Sequence, residues 1–186
     1  MEAFLTSTAA VALAEIGDKT QLLAIVLAAR FCRPWPIVAG ILAATLANHF
    51  LAALLGSQVA DFLDGYWFRL AVAASFLAMA AWTLIPDKDD GLNENYSRFG
   101  AFMTTLVAFF LVEMGDKTQI ATIALGARFQ DTIFVTLGTT LGMMIANVPA
   151  VFLGKELVRR IPMTAMRLIA ACVFAALGIW LLLETL

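Results

Sequence analysis

The sequence predicts an all-α integral membrane protein whose six transmembrane helices form two inverted three-helix repeats. Three observations predict it. First, 62% of the 186 residues are hydrophobic and only 14% are charged, against roughly 25% charged in soluble domains. Second, six apolar runs are long enough to cross a bilayer, which takes about 20 helical residues; they fall at 3–31, 35–60, 66–86, 100–128, 132–154 and 165–185. Third, sliding the chain against itself by 98 residues aligns 1–88 with 99–186 without a gap, and Phe4/Phe102, Gly40/Gly138, Gly56/Gly154, Arg69/Arg167, Phe76/Phe174 and Trp82/Trp180 fall in step. A repeat of three spans is odd, so the second copy enters the membrane from the opposite side.

The first span begins "FLTSTAAVALAE", which has the apolar core of a signal peptide. Glu2 stands where a positive flank belongs, and the pattern recurs in mid-chain, so it reads as mature helix. The second span carries Asn48 and His49 at its middle, and the fifth carries Asn147, which the 98-residue offset places opposite His49. These polar groups are expected either to line a pathway, with His49 relaying a proton, or to serve helix packing. Between the third and fourth spans lies "PDKDDGLNENYSRFG", residues 86 to 100. Its Pro, Gly, Asn and charges mark a join, with an acidic linker at 89–98 between a first repeat, 1–88, and a second, 99–186, that together make one transport domain.

Orientation follows from the basic residues, which are retained on the cytoplasmic side. Arg30, Arg33, Lys88, Arg98, Lys155, Arg159, Arg160 and Arg167 flank one side, and only Arg69 and Arg128 flank the other. Both termini are therefore expected outside the cell and the linker in the cytoplasm. The acidic cluster Asp87, Asp89, Asp90 and Glu94 either gathers cations near an entrance or is plain solvated linker. A net charge of -2 offers no basic surface for nucleic acid. Cys32 and Cys172 are too few and too distant for a metal motif or disulfide framework, and they read as buried apolar filler.

The informative anomaly is charge inside the first span of each repeat: "EIGDKT" at 15–20 and "EMGDKT" at 113–118. Charges there are costly and mark function. On a continuous helix, Glu15 and Asp18 share a face and Gln21 extends it; Glu113, Asp116 and Gln119 repeat the arrangement. If the inverted halves pack these helices together, four carboxylates and two amide oxygens converge. Such oxygens suit Mn2+ or Ca2+, and the absence of Cys or His from the motif disfavours Zn2+. With no cation bound, repulsion and desolvation favour protons on the same oxygens, which is the physical basis for exchanging one for the other.

Gly17 and Gly115 sit between the carboxylates, where glycine permits either a helix break or close packing of an unbroken helix. With a break, Asp18 and Thr20 stand where N-caps are favoured. Lys19 and Lys117 are expected to compensate buried charge or gate the site, and Thr20 and Thr118 to bond helix backbone or line the pathway. "GDKT" lacks the Gly-Lys pair of a phosphate-binding loop, and no HExxH or GxSxG is present, so no enzyme is expected.

The duplicated Glu-x-Gly-Asp-Lys-Thr signature resembles that of the membrane family of Golgi manganese/calcium transporters and their bacterial manganese exporters. The resemblance covers the whole chain. It implies a secondary carrier in a bacterial inner membrane, moving Mn2+, or next Ca2+, out of the cytosol in exchange for protons by alternating access. It implies Glu15, Asp18, Glu113 and Asp116 as ion ligands, Gln21 and Gln119 as helpers, and no cofactor beyond the transported ion. Two other classes use similar parts: a passive divalent-cation channel, and an exporter of a small cationic solute. Oligomeric state is silent in the sequence.

Overall fold

The computed structural model describes residues 1–62, 65–85, 100–153 and 163–185. Among them every regular element is a helix. In chain order these are α1 (Glu2–Glu15), α2 (Lys19–Phe31), α3 (Pro34–Phe62), α4 (Tyr66–Thr83), α5 (Gly100–Glu113), α6 (Lys117–Phe129), α7 (Thr132–Leu153) and α8 (Met163–Thr185). The linker 89–98, with Lys88 and Lys155, Arg159 and Arg160, lies outside the described residues, as does the side chain of Arg167.

Helices α3, α4, α7 and α8 follow the predicted spans closely. Pro34–Ala60, Thr132–Leu153 and Leu168–Thr185 are long and apolar enough to cross a membrane. The spans predicted at 3–31 and 100–128 are not continuous helices. Each divides into a 14-residue and a 13-residue half, about 20 Å apiece and too short alone for a hydrocarbon core of about 30 Å. The reason is local: Gly17 and Gly115 take φ of +86° and +76°, a left-handed conformation that interrupts a right-handed helix and that glycine adopts without steric cost.

The backbone repeats at the 98-residue offset. Asp18 and Asp116 stand at the N-caps with φ, ψ of −84°, 170° and −77°, 165°, and Cys32 and Gln130 end the half-helices in the left-handed region at 50°, 28° and 52°, 26°. Packing repeats as well. A Cβ on Gly40 of α3 would lie 2.8 Å from the Phe102 carbonyl of α5, and one on Gly138 of α7 would lie 2.5 Å from the Phe4 carbonyl of α1. Small residues let these backbones approach. Helix α3 packs along both α5 and α6, and α7 along both α1 and α2, so the long helix of each half braces the broken helix of the other. Helices α4 and α8 pack together beside them.

Two apolar clusters flank the breaks. One joins Ala10 of α1, Ala53 of α3, Phe76 of α4, Leu125 of α6 and Phe174 of α8; the other joins Leu23 of α2, Ile41 of α3, Phe109 of α5 and Val151 of α7. The outer surface is apolar too, with Leu5, Trp67, Leu111, Ile133 and Leu183 exposed, as lipid contact requires. Arg69 and Arg128 line one pocket with Glu184, so the two arginines assigned to the same flank share one end of the bundle. The cysteines are not buried as expected: both are exposed, Cys32 because it is the left-handed residue closing α2 and Cys172 because it faces outward from α8.

Candidate metal centre

The breaks bring the motif together by freeing backbone and aiming side chains. Asp18 N–H donates to the Glu15 carbonyl at 3.1 Å, and Asp116 N–H to the Glu113 carbonyl at 3.2 Å, closing a tight turn around each glycine. Neither aspartate caps its helix through its side chain. The glutamines serve the turn instead: Gly17 N–H donates to Gln21 Oε1 at 3.0 Å and Gly115 N–H to Gln119 Oε1 at 2.7 Å. Those amide oxygens, expected to face the ion, are engaged by backbone in this structure. Gln21 Nε2 also donates to the Ala146 carbonyl of α7 at 3.0 Å, tying the first break to the opposite half.

Glu15, Glu113 and Asp116 are buried and offer carboxylate oxygens that lie within 4.8 Å of one another. They come from both repeats and from three different helix termini. Among the described residues Asp18 is not part of this group, although it is buried. The equivalent break separates Glu113 from Asp116, and both of these belong to the group, so the two copies of the motif contribute unequally.

Hydrogen bonding within the cluster is unequal. Thr20 Oγ1 donates to Glu15 at 2.6 Å, and the Thr118 hydroxyl, from the other repeat, donates to the same carboxylate. The backbone role expected of these threonines is therefore corrected: α1 ends at Glu15, and both hydroxyls donate to its carboxylate. Both oxygens of Glu113 are buried with no hydrogen-bond partner among the described residues. Lys19 Nζ lies 2.7 Å from Asp116 Oδ1, whereas Lys117 is buried and donates to the Ile85 carbonyl beyond α4 at 3.4 Å.

The polar groups of the long helices divide. Asn48 Nδ2 donates to the Phe110 carbonyl of α5 at 3.0 Å, and Asn147 Nδ2 to its own helix at Met143 O at 3.1 Å. His49 is fully buried and neither ring nitrogen has a hydrogen-bond partner among the described residues; it does not join the carboxylate group. The carbonyls of Ala146, Phe110 and Ile85 were not legible as partners in the sequence, because a backbone acceptor carries no residue signature.

Chemically, the cluster is an all-oxygen, anionic donor set. Like charges at about 4 Å repel by about 4 kcal/mol per pair at an effective dielectric of about 20, and one lysine balances only part of three carboxylates. Hard divalent cations suit such a site. Described residues whose regular elements are all helices, an apolar surface and a buried carboxylate cluster at paired helix breaks define a membrane protein of ion transport. The sequence matches the family model "Divalent cation/proton antiporter GDT1" over residues 3–91 and 101–186, and the chain belongs to that family. It is 49% identical over 180 residues to a Vibrio cholerae protein described as "Putative manganese exporter", covering 96% of this chain and 90% of the relative. A GDT1-like protein of Synechocystis is 29% identical over 94% of this chain and 93% of its own, and GDT1-like protein 5 of Arabidopsis thaliana is 28% identical over 98% and 96%. No solved structure matches.

Proposed function

We propose that this chain exports a divalent cation from the cytosol, Mn2+ first and Ca2+ next, in exchange for protons. Glu15, Glu113 and Asp116 are the ion's ligands, with Asp18 waiting beside them for a rearranged state. The observation that carries the reading is the convergence of three buried carboxylates from both repeats within 4.8 Å. The same oxygens bind either the cation or protons, so filling the site with one expels the other. The chain's halves, 1–88 and 99–186 joined by the cytoplasmic linker, form six spans with inverted topology and both termini outside a bacterial inner membrane. Equivalent halves related in this way exchange environments when the site opens to the other side.

Unequal exposure of the two breaks supports alternating access. Ile16 and Gly17 are half-buried, while Met114 is 57% exposed and Gly115 is exposed with it. The test is Mn2+, Ca2+ and Mg2+ uptake by proteoliposomes under an imposed pH gradient, with Glu15→Gln and Asp116→Asn alongside. The expected result is uptake driven uphill by the gradient and lost in both variants. Flux that only dissipates a metal gradient, indifferent to pH, contradicts exchange and identifies a channel.

A further inference from the structure

Lys19 is the first residue of α2, a poor place for a cation, because the helix N-terminus already carries partial positive charge. Local logic would favour an acid there. What holds the lysine is Asp116 of the other repeat, whose Oδ1 lies 2.7 Å from Nζ. The two partners differ in exposure: the Lys19 side chain is 32% exposed and that of Asp116 is 4% exposed. A flexible stem with one end near the surface can withdraw, but a buried aspartate cannot follow. Asp116 is also one of the three clustered carboxylates; its Oδ1 holds the ammonium, and its Oδ2 is buried with no hydrogen-bond partner among the described residues.

We propose that Lys19 is a tethered competing cation: it holds Asp116 while the site is empty and is displaced when a divalent ion enters. This rests on the cation site proposed above and adds what sets its selectivity. A divalent ion takes six or more oxygens at 2.3–2.6 Å in the case of Ca2+; by drawing on both oxygens of Asp116 it leaves no room there for the ammonium. A monovalent ion replaces one positive charge with another and gains little. A divalent ion brings a second charge to three carboxylates, so it alone outcompetes the lysine. Return of the ammonium then helps discharge the cargo.

The test measures Mn2+ binding to the purified full-length chain in detergent, by calorimetry, in KCl and in choline chloride of equal ionic strength. Lys19→Met is expected to bind Mn2+ about tenfold more tightly, a change of about 1.4 kcal/mol, and to become sensitive to K+ where the wild type is not. Lys19→Arg keeps the charge and can grip a carboxylate with two donors, so it is expected to bind Mn2+ more weakly than wild type. In the Asp116→Asn background the gain from Lys19→Met is expected to vanish, since the two residues act through one contact. Mn2+ affinity unchanged or weakened by Lys19→Met, with Asp116→Asn still weakening it, overturns the competitor and leaves the site standing. Wild-type affinity in both Asp116→Asn and Glu113→Gln removes the site itself, and the inference with it. If Lys19→Met does not fold, Lys19→Arg decides: an affinity equal to wild type overturns the proposal.

Discussion

The two motif copies differ by one residue over "EIGDKT" and "EMGDKT", yet they sit in different surroundings. Glu15 receives hydroxyls from both repeats, and Glu113 receives none among the described residues. Lys19 reaches across to Asp116, while Lys117 turns to the Ile85 carbonyl. Gln21 is buried with two hydrogen bonds to backbone, and Gln119 is partly exposed. Near-identical sequence therefore specifies near-identical backbone, down to the glycine φ values, but not identical side-chain partners. The difference bears on the proposed function: there the glutamate without a partner among the described residues, not the satisfied one, is the acceptor for a proton or a cation. An unsatisfied buried carboxylate is a standing cost that only such a ligand relieves.

The largest effect is expected from the glutamates. Glu15→Gln and Glu113→Gln should each lower Mn2+ transport by more than about 100-fold, beyond the usual loss of an outer-shell partner. Their stabilities should separate. Glu15→Gln loses charge-assisted bonds from two threonines and should cost about 2 kcal/mol, whereas Glu113→Gln removes an unpartnered buried charge and should leave stability unchanged or raised. Thermal unfolding in detergent reads the difference, and equal losses would erase the asymmetry.

Next come the threonines. Thr118→Val breaks a bond between repeats and should cost about 2 kcal/mol with about a tenfold loss of Mn2+ affinity, measured by calorimetry. Thr20→Val breaks a bond to the preceding turn and should weaken affinity less. A smaller effect on Thr118 than on Thr20 would mean the inter-repeat bond does not position Glu15.

Gly17→Ala and Gly115→Ala should each lose about 1–2 kcal/mol, because both put a Cβ at positive φ. At Gly115 the Cβ would meet nothing within 4 Å, so the cost there is backbone strain alone. Unfolding midpoints unchanged by Gly115→Ala would show that the break does not hold its left-handed turn. The smallest difference is expected at the glutamines: Gln21→Leu should cost about 1 kcal/mol more than Gln119→Leu, since water can satisfy the exposed turn and not the buried one.

Much of the fold was legible because hydropathy has few alternatives in a chain this apolar. The long helices α3, α7 and α8 begin and end within a few residues of the predicted spans, and the 98-residue offset reappears in paired backbone angles. What the sequence left open was the state of residues 15–18, since a glycine in a membrane helix serves packing and breaking equally well. That one ambiguity propagated. Placing Glu15 and Asp18 on one helix face assumed continuity; the carboxylates that gather are Glu15, Glu113 and Asp116, one from the first motif and two from the second. Thr20 and Thr118 were assigned to backbone for the same reason, because a threonine on an unbroken helix finds its carbonyl first.

The central claim is that both repeats build a single cation site. Equilibrium dialysis of the purified chain against Mn2+ tests it most directly, by counting ions bound to the wild type and to Glu15→Gln and Asp116→Asn, one variant in each repeat. One high-affinity Mn2+ per chain, lost in either variant, is the predicted result. Two ions per chain, or one ion that survives substitution in one repeat, would contradict a shared site and divide the motifs into separate halves.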